Sequence, residues 1–333
     1  MTMWRSSCAV VVVGGLTLVG TLGTSAAATA SGDFRATAAP SPVDPTAIPL
    51  GDGNLSTTPK VGFVDSCMTR FPTVGGAQAV GPWINTTAKT WNSVTKVNLQ
   101  GSVSWPNASL SITSAGGKRT IKTNDLPTDH TTGTFPVASS DPAAPYDSNP
   151  NHIAAQSISW SVPTNPTAAS KPSCTSSGPI GVLNDGVLLY NALDGEGRDA
   201  AAHEILDSCG GHPDMSSTYH HHEVPSCILD KATGPSTLVG YAADGYGIYI
   251  ERDAQGQLLT NASLDGCHGR TSKVVWNGKK TTIYHYDATI EYPYTVGCYH
   301  GTPTKMSQTA GGGSGGPTGA GGPPGGGGPS GTP

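Results

Sequence analysis

The sequence predicts a mainly β, disulfide-stapled domain with an internal pseudo-twofold repeat, and three observations carry that prediction. Runs of β-branched and aromatic residues alternate with polar ones and are bounded by Gly, Pro and Asn. The cysteine count is even once an amino-terminal export segment is set aside. An ordered set of motifs also occurs twice, over about 178–227 and again over about 238–298.

The first 30 of the 333 residues read as a signal peptide. Arg5 gives the positive start, Cys8 to Leu22 the apolar run, and Ala28-Thr29-Ala30 the small-residue cleavage site. The expected location is therefore extracellular, with no stable membrane insertion. Residues 31–59, rich in Ala, Pro, Thr and Ser, read as a flexible linker. Residues 60–309 form the β domain. Residues 310–333 are almost entirely Gly, Pro, Ser and Thr, a composition that buries no apolar surface and predicts a disordered tail.

Within the domain, alternation marks Val97 to Gln100, Val103 to Trp105, Ala108 to Thr113, Ile158 to Val162 and Thr281 to Thr289 as strands. Asn184-Asp185-Gly186 and Ala243-Asp244-Gly245 read as hairpin turns, because Gly accepts positive φ. One short helix is expected near 198–208, with Gly210 as its stop. Charged residues make up 12% of the chain and the net charge is -5, with no basic patch, which argues against nucleic-acid binding.

The repeat is specific in its spacing. Gly181-x3-Asp185-Gly186-x3-Tyr190 returns as Gly240-x3-Asp244-Gly245-x3-Tyr249. Leu206, Asp207 and Cys209 return as Leu264, Asp265 and Cys267. Tyr219-His220-His221-His222 is answered by Tyr284-His285-Tyr286-Asp287, and the copies close on Cys227 and Cys298. If the halves are equivalent, Cys209 pairs with Cys227 and Cys267 with Cys298, which leaves Cys67 for Cys174. Free thiolate ligands are the competing reading, weakened by an oxidising compartment.

Strand parity selects the side chains that cooperate. Residues i and i+2 share a face, so His220 goes with His222 and His285 with Asp287. If the tetrads meet about a pseudo-twofold, His220, His222, His285 and Asp287 form a metal site between them. Three imidazoles and a carboxylate suit Zn²⁺ or Cu²⁺. His212 is the candidate catalytic group beside it, and His268 and Glu223 are candidates to complete the shell. The opposite reading makes the tetrads sheet-packing ladders of stacked Tyr and His. His203-Glu204-x-x-Asp207 opens like a zincin helix but lacks the second histidine, so Glu204 and Asp207 are read as helix-fixing residues.

From Gly178 to Cys298 the residues resemble the YHYH domain family of secreted bacterial proteins. The matching blocks are Gly178-Pro179-Ile180-Gly181, Asp207-Ser208-Cys209-Gly210-Gly211-His212-Pro213 and Tyr219-His220-x-His222-x-x-Pro225-x-Cys227. They continue through Gly240 to Gly245, Leu264 to Arg270, Tyr284-His285-Tyr286 and Tyr292 to Cys298. The chain departs from the family pattern at His221, usually tyrosine, at Asp287, usually histidine, and at Gly247, where proline is common. The resemblance implies a fold and a motif, not a reaction.

The functional expectation is a secreted protein binding a divalent metal, Zn or Cu, without a nucleotide cofactor. If it is an enzyme, metal-dependent hydrolysis ranks ahead of copper oxidoreduction. The partner would be a small-molecule or polymer ligand. The alternative is a disulfide-stapled extracellular binding module in which the tetrads are structural.

Overall fold

The structure is a computed structural model that describes residues 43–72 and 76–310, all within the unit Ala38–Pro333. The expected signal peptide, residues 31–42 of the linker and tail residues 311–333 lie outside the described residues. Five two-residue strands come first: β1 (Ile48–Pro49), β2 (Leu55–Ser56), β3 (Val64–Asp65), β4 (Ile84–Asn85) and β5 (Thr90–Trp91). Then β6 (Leu110–Ala115), β7 (Lys118–Thr123) and β8 (Gln156–Pro163) form an antiparallel sheet. Its other edge is β19 (Ser307–Ala310), so Ala310 ends a strand rather than opening the tail. In β8 buried and exposed residues alternate, as one-sided burial of a period-2 strand requires. A two-stranded pair joins β9 (Ala168–Ser173) to β18 (Tyr299–Gly301).

The dominant element is an eight-stranded mixed sheet. Its strands are β10 (Pro179–Leu183), β11 (Leu188–Tyr190), β12 (Gly211–Pro213), β13 (Tyr219–His221), β14 (Ser236–Ala242), β15 (Gly247–Glu251), β16 (Gly269–Trp276) and β17 (Lys279–Asp287). Their spatial order is β12-β13-β11-β10-β14-β15-β17-β16. From the antiparallel β10–β14 seam the same pairings follow outward on each side. An antiparallel hairpin partner comes first (β11 or β15), then a parallel strand (β13 or β17), then an antiparallel edge strand (β12 or β16). Both hairpins turn where the sequence placed them, at Asp185-Gly186 and Asp244-Gly245, and each glycine has φ +91°.

The central strands are buried on both faces. Ile180, Val182, Leu188, Leu189 and Ile248 pack in one cluster with Ile121, Trp160 and Val162 of the four-stranded sheet. Arg119 of β7 lies over the rings of Tyr241 and Trp276 and ties the two sheets further. The runs Val97 to Gln100 and Val103 to Trp105 form no strand; each contributes one isolated bridge, Leu99 with Asp207 and Val103 with Thr132.

Two expectations need correction. The helix near 198–208 shortens to α1 (Ala200–His203), and a second four-residue helix, α2 (Ser226–Leu229), appears. α1 stops because its carbonyls are taken. Trp83 Nε1 donates to Ala202 O, Lys96 Nζ donates to Ala201 O, and Ile205 N turns to Asp147 Oδ2 instead of continuing the helix. The described part of the expected linker, 43–59, is largely exposed but anchored to the domain at several points. Ile48 is 2% exposed, Gly51 N donates to Asp199 Oδ2 at 2.8 Å, and Asp52 pairs with His203 at 2.9 Å. Low sequence complexity concealed these few anchors.

All three expected disulfides are present: Cys67–Cys174, Cys209–Cys227 and Cys267–Cys298. No helix among the described residues is long and apolar enough to cross a membrane.

Candidate metal centre

Each tetrad is fixed by carboxylates from the other repeated motifs. The hydroxyl of Tyr219 donates to Asp207 Oδ2 at 2.8 Å, and that of Tyr284 to Asp265 Oδ1 at 3.2 Å. At the third position His221 Nε2 lies 3.1 Å from Asp185 Oδ2, and the Tyr286 hydroxyl donates to Asp244 Oδ2 at 2.5 Å. The Leu-Asp-x-Cys and Asp-Gly motifs therefore lock the odd-numbered face of one tetrad and the even-numbered face of the other. Gly211 and Gly269 permit this, since a Cβ on either would meet a tyrosine hydroxyl, Tyr219 or Tyr284, at 2.3 Å.

The opposite parity is free for chemistry, and here the expectation of one shared site fails. β13 and β17 are separated by four strands, roughly 24 Å at about 4.8 Å per strand. The sheet pairs the two halves through β10 and β14, so the tetrads point to opposite ends. His220 and His222 come together, as do His285 and Asp287, but the two pairs do not share an ion.

The first cluster adds His212 and Glu204 to His220 and His222. His220 Nε2 is 3.1 Å from His222 Nε2, and His212 Nε2 is 3.3 Å from it. Glu204 Oε2 is 3.3 Å from the Nε2 atoms of both His212 and His222. β12 supplies His212, which pairs with His220 in the ladder. Glu204 reaches in because the chain leaves α1 in extended conformation at that residue, with ψ 146°.

The other ring nitrogens are already engaged. His220 Nδ1 lies 3.1 Å from Thr218 O, and His222 Nδ1 lies 2.6 Å from Asn191 O. A carbonyl only accepts, so both rings carry a proton on Nδ1, and in their neutral forms their Nε2 lone pairs face each other. His212 has Asn149 Nδ2 at 3.5 Å from Nδ1, too long to fix its tautomer. Glu204 Oε2 is buried and receives no hydrogen bond.

Charge is tuned by the same crowding. Burial, and then the neighbouring imidazoles, hold His212 and His220 well below the usual histidine range. Burial also acts to lower His222, but the Glu204 carboxylate beside it outweighs this and raises it. Glu204 itself is raised by burial. Tyr190 stacks on His220 at 3.9 Å between ring centres and donates its hydroxyl to Asp214 at 3.0 Å. Glu204, His212, His220 and His222 all line one cavity of about 440 Å³, with Tyr190 and Asn191 beside them.

The second cluster is Glu251, His285 and Asp287. His285 Nε2 is 3.1 Å from Glu251 Oε2 and 3.6 Å from Asp287 Oδ2. Asp287 is fully buried, neither of its oxygens receives a hydrogen bond, and burial pushes its carboxyl up to about 7. Of the other expected participants, His268 pairs with Thr289 at 3.1 Å and burial pushes it down to about 3. Glu223, raised by burial, feels Lys96 and does not join the imidazoles.

Sequence reasoning missed Glu204 and Glu251 as members of these clusters. Glu204 carried a signal, its place in His203-Glu204, but was read as fixing a helix. Asp207, also read as fixing the helix, instead holds the turn that follows it, accepting from the backbone N of Gly133, Cys209 and Gly211.

Residues 159–260 match the family model described as YHYH protein. The match takes in Glu204, His212, His220 and His222 and ends before the second tetrad. No curated protein matches the chain, and no solved structure does.

Proposed function

We propose, from the match of residues 159–260 to the YHYH protein family model, that the chain is a secreted metalloprotein whose centre is His212, His220, His222 and Glu204. The supporting observation is that His220 and His212 bring their Nε2 atoms to 3.1 and 3.3 Å from His222 Nε2, the three imidazole nitrogens lying within 4.8 Å of one another, while Glu204 Oε2 stands 3.3 Å from His212 and His222. Ligand bonds of about 2.0–2.1 Å in a tetrahedral zinc site imply ligand–ligand separations of about 3.3–3.4 Å. A proton on His222 bridges one neighbour in a linear hydrogen bond and leaves the remaining contacts unrelieved. A divalent cation relieves all four.

The donor set of three imidazoles and one carboxylate fits Zn²⁺ first and Cu²⁺ second. The carbonyls of Thr218 and Asn191 orient His220 and His222 through Nδ1, as outer partners of metal-bound histidines do. Because all four residues line the cavity, a ligand entering it reaches the centre directly. With four protein ligands, a fifth coordination position facing the cavity would let Zn²⁺ bind a water and supply Lewis acidity, so hydrolysis is the reaction class we assign. The three disulfides support an oxidising compartment.

The test is cobalt substitution of chelator-stripped protein. Visible d–d absorption characteristic of a four- or five-coordinate nitrogen and oxygen site, displaced by Zn²⁺ and absent in His222→Ala, supports the reading. Absence of that absorption in folded wild-type protein defeats it.

A further inference from the structure

The second cluster has its own claim to an ion. We propose that Glu251, His285 and Asp287 form a second, closed divalent-cation site at the far end of the eight-stranded sheet. The ligand atoms stand 3.1 and 3.6 Å apart around His285 Nε2, and all three lie within 4.8 Å of one another. His285 Nδ1 is 3.0 Å from Ile283 O, so this ring too carries a proton on Nδ1 and turns Nε2 toward the carboxylates, which raise it against the lowering effect of burial and whose favoured proton a cation would replace.

Asp287 is the independent observation. Its two oxygens are buried without a single donor, an arrangement that costs an ionised carboxylate several kcal/mol and is relieved by a proton or a bound cation. Glu251 is already held in place, since Ser272 Oγ donates to it at 3.0–3.1 Å and Arg270 Nε lies 3.5 Å away. The ladder shows how the two ends differ. Arg270 stands opposite His285 where His212 stands opposite His220, so the third imidazole is missing here and Glu251 from β15 takes its place.

Two carboxylates and one imidazole make a harder donor set than the first cluster, suited to Zn²⁺ or Mn²⁺. With His285 and Asp287 both at 0% exposure, the site presents no face to a substrate, and its role is to clamp the parallel β15–β17 join.

The experiment is metal stoichiometry on stripped full-length protein reloaded with Zn²⁺ or with Mn²⁺. The wild type is expected to bind two equivalents, Asp287→Asn one, and His222→Ala one. Where a variant's folding is in doubt, the melting temperature of His222→Ala is read with and without added Zn²⁺. A rise that Glu251→Gln abolishes upholds the second site. An Asp287→Asn protein that binds as much metal as wild type overturns it. So does a single wild-type equivalent lost in His222→Ala. One equivalent lost in Asp287→Asn but kept in His222→Ala would instead overturn the proposed function and leave the second site standing.

Discussion

His220 and His222 bring their Nε2 atoms to 3.1 Å while each gives its other ring nitrogen to a backbone carbonyl. In the neutral rings two such lone pairs repel, and the Glu204 carboxylate favours a proton on His222 that relieves one of these contacts. The fold holds them there through locks on the other face of the strand, chiefly Tyr219 on Asp207 and His221 on Asp185. The site's cost in apo stability and its affinity for a cation are two views of one arrangement.

The locks are separable from the centre. Tyr219→Phe should cost about 1.5–3 kcal/mol, the range for a hydrogen bond to a charged group. Asp207 is 1% exposed and would keep its backbone donors. Urea denaturation should show this loss with metal content unchanged. Loss of metal from folded Tyr219→Phe would show that the lock and the centre cannot be separated.

Glu204 should act as a ligand and not as a helix-fixing residue. Glu204→Gln keeps the size of the side chain and removes the charge. It should weaken Zn²⁺ binding at the first cluster by about 10–100-fold with little change in melting temperature of the metal-free protein. Competition with a chromophoric chelator reads this directly. An unchanged affinity with a lowered melting temperature would return Glu204 to a purely structural role.

Acid should release the metal in a defined order. His212 and His220 are held below the usual histidine range, so they stay neutral and ready to bind as pH falls. His222 is raised, so its proton is the first to compete, and affinity should begin to fall above the ordinary value of about 6.5. Glu204, also raised by burial, adds a second proton. Log affinity should fall continuously as pH drops through neutrality. A flat profile from pH 8 to 6 would contradict the assignment of His222.

The segment 43–59 should matter to stability. Ile48→Ala should cost about 2–5 kcal/mol, the range for truncating a buried aliphatic side chain. A free linker would show no change in denaturation midpoint.

Strand parity made His220 with His222, and His285 with Asp287, legible before any coordinates, because period-2 geometry puts i and i+2 on one face. Cysteine pairing was legible through the repeated spacing of Cys209–Cys227 and Cys267–Cys298. Strand order was not. Nothing local to Tyr219 or Tyr284 says that β10 and β14 would pair between them and carry the tetrads to opposite ends. Glu204 was hidden for a related reason: Asp147, Trp83 and Lys96, all distant in sequence, end α1 and release the chain that carries it.

The central claim is that His212, His220, His222 and Glu204 hold a divalent cation. The most direct measurement is Zn²⁺ titration of stripped protein by calorimetry, in Asp287→Asn so that only this centre is read, with and without His220→Ala. The account predicts one tight equivalent in Asp287→Asn that disappears when His220→Ala is added, both proteins remaining folded. Equal Zn²⁺ uptake by the two proteins, or none by either, would contradict it.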